Sequence, residues 1–133
     1  MADPAAPPVA TSPDRRQQLG IDGEHLAVQA LVARGYVVLA RRYRTRFGEL
    51  DIVARDGDTL VFVEVKARRG VAFGHPGDAV HWRKRRRLGR LARAFIAEAR
   101  LHHLPCRFDV VAIIWQDGCA PDVQVFRQAF DVE

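Results

Sequence analysis

The sequence "GELDIVARDGDTLVFVEVK", residues 48–66, decides the fold because it contains a complete β-hairpin signal. Two apolar runs flank the tetrapeptide "RDGD" at residues 55–58, a strong signal for a tight turn between antiparallel strands. We therefore predict strands at residues 48–54 and 59–66. Charged residues stand inside these runs, where apolar or neutral residues are the norm: Glu49, Asp51, Glu64 and Lys66.

Strand alternation places the charged residues of the hairpin relative to one another. If residues 57–58 are the centre of the turn, Asp51 lies directly across from Glu64. If residues 56–57 are the centre, Glu64 becomes a diagonal neighbour of Asp51. Both registers keep Asp51, Glu64 and Lys66 on one face, and only an odd-length loop or a bulge would separate them. The same alternation predicts a shared face for three apolar residues of the first strand: Leu50, Ile52 and Ala54.

Outside the hairpin, the pattern predicts helices on either side of further strands. A helical pattern covers residues 14–34 and ends where Gly35 can cap it, and a β-rich segment begins at residue 36 and runs to residue 40 or 42. A second apolar helical stripe runs from residue 79 to about residue 100. The run "RFDVVAIIW" at residues 107–115 predicts a strand buried on both faces, and Val123 and Val125 predict a short edge strand.

This order predicts an α/β sandwich whose mixed sheet of four or five strands is flanked by helices, in the order αβββαβ(β). The second helix is long enough to form a crossover, which makes the strand at residue 107 parallel to the one at residue 59. A chain of 133 residues suits one domain, which we place at residues 14–133. Residues 1–13, rich in Ala and Pro, are predicted to be a disordered lead-in.

Composition restricts the cellular setting. No apolar run approaches the ~20 residues that span a bilayer, and the N-terminal segment lacks the basic and apolar regions of a signal peptide. We therefore expect a cytoplasmic protein without a membrane partner. The two cysteines, Cys106 and Cys119, are expected to be reduced.

The positive charge is concentrated in one helix. Its basic residues carry seven of the 21 positive charges with no acid among them, and the other 14 basic residues face 16 acidic ones. The seven basic residues of this helix are Arg83, Lys84, Arg85, Arg86, Arg87, Arg90 and Arg93. A second, thinner cluster comprises Arg41, Arg42, Arg44 and Arg46. Local basic patches attract polyanions, so we expect a nucleic-acid partner, with Lys84 near the core-facing edge of its helix and Trp82 either stacked on a base or part of the core.

The charged face of the hairpin has two possible interpretations, a metal site and an ordinary solvated face. Cross-strand Cβ atoms lie about 5 Å apart, so the carboxylates of Asp51 and Glu64 would repel unless a cation compensates them. Oxygen ligands of this kind suit Mg²⁺ or Mn²⁺, and Lys66 could then orient a water or stabilise charge on a phosphate. Alternatively, the three residues form an ordinary solvated face whose ion pairs contribute little stability.

Six short motifs occur in a fixed order along residues 20–114: "GE" at 23–24, "GY" at 35–36, "GELDIVA" at 48–54, "FVEVKAR" at 62–68, "FG" at 73–74 and "RFDVVAI" at 107–113. Together they resemble the YraN family, an uncharacterised family similar to the PD-(D/E)xK nucleases and Holliday-junction resolvases. The sequence departs from the family pattern in having Tyr43 where Asn is common, and from the superfamily name in having "LD" in place of "PD".

The resemblance implies a restriction-endonuclease-like fold and roles for four residues. By position, Asp51 and Glu64 would be metal ligands and Lys66 the catalytic lysine, and Glu24 would be the additional acid found in resolvase-like members. An acid near a helix start is also stabilised by the helix dipole, which is the alternative for Glu24. Resolvases act as dimers, so the resemblance also implies a homodimer.

These features of the sequence lead to three hypotheses about function. The first is a Mg²⁺- or Mn²⁺-dependent endonuclease acting on branched or single-stranded DNA. The second is a nucleic-acid-binding module of the same fold with little or no catalysis. The third is an adaptor whose basic helix meets an acidic protein.

Overall fold

The computed structural model describes residues 15–70 and 81–131, with side chains in the first helix from residue 22 onward. The predicted lead-in at residues 1–13 lies outside the described residues. The segment "ARRGVAFGHPGD" at residues 67–78, whose glycines and proline predict a loop, also lies mostly outside them.

The described residues form two helices and five strands in the order αβββαββ, which confirms the predicted order and the additional last strand. Their bounds are α1 Arg15–Ala33, β1 Val37–Thr45, β2 Gly48–Asp56, β3 Thr59–Arg69, α2 Trp82–Ala99, β4 Cys106–Trp115 and β5 Asp122–Phe130. As predicted, Gly35 follows the end of α1 and has a positive φ of 88°. Neither of these helices has the length and apolar composition required to cross a membrane.

The five strands form one sheet in the spatial order β1-β2-β3-β4-β5. Strands β3 and β4 are parallel and every other neighbouring pair is antiparallel. Since α2 is the helix between the two parallel strands, it forms the predicted crossover. The sheet is therefore mixed, and the arrangement is that of a nuclease-like sandwich.

The two helices cover opposite faces of the sheet. Strand β3 alternates between them, with Leu60 and Phe62 in the core cluster beneath α2, and Val61 and Val63 in the cluster beneath α1. Strand β4 is buried on both faces, as the largely apolar run at residues 107–115 predicts. Tyr43 ties β1 to α2, because its hydroxyl donates to Glu98 Oε2 at 2.6 Å.

A buried polar network fastens the central strands together. Asp109 is 0% exposed and accepts hydrogen bonds from Arg107 Nε at 3.0 Å and from the hydroxyl of Tyr36 at 2.9 Å. Arg107 also pairs with Asp56 at 2.8 Å, which links β4 to the end of β2. Each buried charge therefore has a partner, and the network joins the segment after α1 to β2 and β4.

The hairpin adopts the first of the two predicted registers, with residues 57–58 as its turn. The β2–β3 ladder runs from Asp56–Thr59 to Ile52–Val63, and Asp51 and Glu64 are the next residues of the two strands. In a continued ladder Val65 would pair with Leu50. Instead its N–H donates to Asp51 Oδ2 at 2.9 Å, so the hairpin opens where the acidic residues begin.

This opening makes one prediction wrong. Leu50 does not share a face with Ile52 and Ala54, since it packs with Val53 in the cluster beneath α2. The reason is that regular pairing with β3 ends at Ile52, and a side-chain hydrogen bond replaces the next backbone pair. Strict alternation then no longer holds for the residues before Asp51.

Candidate functional site

The structure brings Asp51, Glu64 and Lys66 together at the opening of the hairpin. Glu64 follows Phe62 on the α2 face of β3 and is only 6% exposed. The Nζ atom of Lys66, two residues further along, lies 3.5 Å from Glu64 Oε1. Asp51 lies beside Glu64, close enough for the negative charge of Glu64 to act on its pKa.

Asp51 is a partly buried acid whose pKa is strongly raised. Burial, and after it the negative charge of Glu64, raise its pKa from 3.8 to about 7. The hydrogen bond from the N–H of Val65 opposes this rise without cancelling it. Near neutral pH this acid therefore exchanges its proton readily, in contrast to an exposed aspartate, which is ionised.

A fourth residue, Lys84, completes the charge balance of the site. It lies in the first turns of α2, and its Nζ atom forms an ion pair with Glu64 Oε1. Burial lowers the pKa of Lys84, but the carboxylate of Glu64 outweighs this effect and leaves the pKa raised. Burial, and after it the ammonium group of Lys84, lower the pKa of Lys66. The two lysines therefore differ, because Lys84 is held in its charged form and Lys66 loses its proton more easily.

The chemistry of these donors fits a hard divalent cation. The carboxylates of the partly buried Asp51 and the buried Glu64 converge, and the pKa of Asp51 is raised by burial and then by the negative charge of Glu64. Among the described residues, no group of three or more His, Cys, Asp or Glu side chains is placed to hold a metal. Mg²⁺ commonly binds through one or two carboxylates and takes its other ligands from water and substrate phosphates, so a pair is a sufficient donor set.

Glu24 lies at the start of the buried part of α1 and contacts the second basic cluster. Its carboxylate accepts from Arg42 Nε at 3.0 Å and lies 3.4 Å from Arg41 Nη2. The neighbouring Gly23 lets α1 approach the sheet closely, because a Cβ atom there would lie 3.0 Å from the Cβ of Ala67. Glu24 is therefore fixed beside the basic edge of β1 by its ion pairs with the two arginines.

The second basic cluster is mostly engaged in contacts within the protein. Beyond the two arginines at Glu24, Arg44 pairs with Glu49 at 3.1 Å. The guanidinium of Arg46 lies 4.8 Å from the ring centroid of Phe47. Arg42 also interacts electrostatically with the acidic site, since its pKa is raised by Glu24 and, to a smaller extent, by the charges of Glu49 and Asp51.

The basic helix divides into residues that face a groove and residues that do not. Among the described residues, two aromatic and four basic side chains line a groove of about 390 Å³: Phe47, Trp82, Arg83, Arg86, Arg87 and Arg90. The aromatic pair is exposed, Phe47 by 46% and Trp82 by 55%, which excludes the core alternative for Trp82. Two other residues of this helix were predicted to contact nucleic acid and do not line the groove. Lys84 forms an ion pair with Glu64, and the guanidinium of Arg85 lies over the ring of Phe130, 5.4 Å from its centroid.

Sequence reasoning missed Phe47 as a member of this surface. The signal available was an aromatic residue between Arg46 and Gly48, in a turn where a core residue is not expected. Gly48 has a φ of 139°, and a Cβ atom there would lie 3.2 Å from Cδ of Arg87. This close approach of the turn to α2 brings Phe47 to the groove, and it depends on tertiary packing.

Comparison with known proteins gives a consistent result across most of the chain. A sequence model described as "Uncharacterised protein family UPF0102" matches residues 23–113, a range that includes all the site residues described above. A UPF0102 protein of Rhodococcus opacus (strain B4) is 45% identical over 112 residues, which cover 84% of this chain and 95% of that protein. One of Trichlorobacter lovleyi is 44% identical over 117 residues, covering 87% and 92%. One of Acidothermus cellulolyticus is 45% identical over 132 residues, covering 92% and 100%.

Proposed function

This chain belongs to the uncharacterised protein family UPF0102, and we propose that it is a metal-dependent phosphodiester hydrolase that acts on DNA. One observation carries the proposal. The partly buried Asp51 meets the buried Glu64 at the opening of the hairpin, and two lysines approach the carboxylate of Glu64. A cluster of acidic and basic side chains with shifted pKa values is typical of catalytic sites rather than of solvated strand faces.

The proposed roles follow from the protonation of each side chain. Asp51 and Glu64 would hold Mg²⁺ or Mn²⁺, which when bound would supply positive charge to stabilise the phosphate and acidify a water. Lys66, with its lowered pKa, is suited to accept a proton from the attacking water. Lys84, held in its charged form, is suited to attract a non-bridging phosphate oxygen.

The basic residues would hold the nucleic-acid backbone beside this site. Arg83, Arg86, Arg87 and Arg90 present their guanidinium groups to one groove, and planar guanidinium groups match phosphate geometry. Arg41, Arg42, Arg44 and Arg46 extend the positive surface along β1. Glu24 would join the metal site as a third acid only if its arginine partners release it. A homodimer, implied by the resemblance to resolvases, belongs to the same proposal.

A second function has one observation in its favour. The ion pair of Lys84 with Glu64 already neutralises a carboxylate that the hydrolase needs for its metal. A protein in which this pair is permanent would be a nucleic-acid-binding module without catalysis. Such a module binds DNA with an affinity that falls with salt and does not respond to chelator.

The experiment that separates these functions is a cleavage assay on end-labelled single-stranded, duplex and four-way-junction DNA, with Mg²⁺, Mn²⁺ or EDTA. The hydrolase predicts cleavage with Mg²⁺ or Mn²⁺, none in EDTA, and loss of cleavage in Asp51→Asn and Lys66→Met. Both variants should still bind DNA in EDTA, and Glu49→Gln, two residues from Asp51, serves as the matched control that keeps cleavage. Binding without cleavage under every condition would replace the hydrolase with the binding module.

A further inference from the structure

An arginine-lined groove with two exposed aromatic side chains lies between the β1–β2 turn and the first half of α2. The turn supplies Phe47, and the helix supplies Trp82 and the four arginines of the groove. Exposed aromatic rings of this size are costly in water unless a partner covers them, and two of them line the same groove. Among the residues that the structure describes, no acidic side chain lines this groove.

We propose that this groove binds an unpaired DNA base, so that the substrate of the hydrolase proposed above carries a single-stranded segment beside the cleaved bond. The base would stack on Trp82 and contact Phe47, while the arginines hold the flanking phosphates. The substrate assignment rests on the proposed function, whereas the binding of an unpaired base by the groove can be tested without it.

The size and chemistry of the groove suit a nucleotide. Its volume of about 390 Å³ lies within the range of roughly 300–1,000 Å³ found for small-molecule pockets. The guanidinium groups of Arg83 and Arg86 lie 5.4 Å and 6.0 Å from the centroid of the Trp82 ring. Both guanidinium groups lie over the ring, so a base that stacks there would displace a guanidinium group, which would then stand beside the base and its phosphates. Aromatic platforms combined with a positive groove are the usual means of binding single-stranded nucleic acid.

The aromatic pair argues against duplex DNA as the occupant. Bases in a duplex are already stacked and paired, so an intact duplex offers this surface mainly its phosphates. Arginines alone suffice for phosphate contacts, and the exposure of Phe47 and Trp82 would then have no use. An unpaired base uses both the aromatic and the basic members of the groove.

Both segments that form the groove, the start of α2 and the β1–β2 turn, also lead to the acidic site. Trp82 lies two residues before Lys84 on α2, a rise of about 3 Å along a helix, and Lys84 contacts Glu64. Phe47 lies four residues before Asp51, roughly 13 Å along an extended strand. A strand whose base occupies the groove therefore has its backbone within a few nucleotides of the carboxylates.

The test is binding in EDTA, where cleavage plays no part. Fluorescence anisotropy of a labelled oligothymidylate and of a blunt duplex of equal length should be measured for wild type, Trp82→Ala, Trp82→Phe and Phe47→Ala. Leu39→Ala, which removes an exposed apolar side chain on β1 far from the groove in sequence, is the matched control. Far-UV circular dichroism checks that each variant is folded.

The groove assignment predicts a change confined to single strands. Trp82→Ala should weaken oligothymidylate binding by about fivefold to a hundredfold, the range for losing one stacked base, and change duplex binding by less than about twofold. Trp82→Phe should recover most of the affinity, because a ring is restored. Phe47→Ala should weaken single-strand binding in the same selective way, and Leu39→Ala should match wild type.

Intrinsic fluorescence supplies an independent readout. Oligothymidylate should quench wild-type tryptophan emission, and the quenching should be absent in Trp82→Phe, in which Trp115 remains. Equal losses on single strands and duplex in Trp82→Ala, or binding without quenching, would overturn the groove assignment. If single-strand selectivity is lost in Trp82→Ala but no DNA is ever cleaved, the hydrolase fails and the groove stands, so the two failures can be told apart.

Discussion

The ammonium group of Lys84 on α2 forms an ion pair with the buried carboxylate of Glu64 on β3. Lys66 approaches the same carboxylate oxygen at 3.5 Å, and Asp51 carries a pKa of about 7 beside it. The basic helix is therefore in direct contact with the acidic site, and the state of one affects the other.

Replacing Lys84 by Met should lower the stability of the metal-free protein and strengthen metal binding. Glu64 would lose one of two cationic partners while staying buried, a cost of about 1–2 kcal/mol because Lys66 remains and Lys84 is partly exposed. Mn²⁺ would then meet less positive charge at the site. Urea unfolding with and without Mn²⁺ measures both effects. An unchanged Mn²⁺ affinity would show that Lys84 and the cation do not compete.

Asp51 should make the stability of the protein depend on pH. Its folded-state pKa of about 7 lies above the ordinary value of 3.8, so the folded protein holds this proton more tightly than the unfolded chain. The stabilisation of the folded state by the proton on Asp51 is fully present below about pH 4 and is lost as the pH rises through about 7. Relative to Asp51→Asn, wild type should lose up to about 1.4 kcal/mol of unfolding free energy per pH unit in that window. Parallel curves for the two proteins between pH 4 and pH 7 would contradict this assignment.

Removing groove arginines should weaken DNA binding and reduce its salt dependence. Each phosphate contact contributes about 0.7–0.9 to the slope of log K against log salt concentration. The double variant Arg86→Ala/Arg90→Ala should therefore lose about 1.4–1.8 of that slope, measured by anisotropy from low to moderate salt. Arg34→Ala is the control, since its side chain donates to the carbonyl of Ala30 on α1, and it should keep the wild-type slope. Equal slopes in the double variant and wild type would remove these arginines from the interface.

Breaking the buried network on β4 should cost far more than breaking an exposed ion pair. Asp109→Ala leaves the charge of Arg107 with fewer partners in a largely buried position, at a cost of about 3–5 kcal/mol in unfolding free energy. Asp117→Ala removes an exposed partner of Arg69 and should cost less than about 1 kcal/mol. Urea denaturation of both variants tests the contrast. Similar losses in the two would mean that the network contributes little to the fold.

Much of the fold could be predicted because its signals are local. The turn at residues 55–58 and the apolar periods on each side determine the hairpin and its face, and the unbroken run at residues 107–115 determines a central strand. Lys84 was also predictable, since its helical phase with Leu88 and Leu91 directs it toward the sheet.

What escaped prediction depends on contacts between distant segments. Leu50 changes face because Asp51 takes the N–H of Val65, and no period in the sequence encodes that bond. Glu24 meets Arg42 because α1 packs closely on the sheet at Gly23, a contact 18 residues apart in the chain. The aromatic groove likewise exists because the turn at Phe47 packs against the second helix.

The central claim, that Asp51 and Glu64 together bind a divalent cation, is tested most directly by titrating the purified full chain with Mn²⁺ and counting bound ions by electron paramagnetic resonance. We expect one bound ion per chain in wild type and in Glu49→Gln, and loss of that ion in both Asp51→Asn and Glu64→Gln. Because the ion must displace a proton from the acidic pair, its affinity should rise as the pH increases through about 7. Mn²⁺ binding that is equal in all four proteins, or absent from wild type at millimolar concentration, would contradict the account.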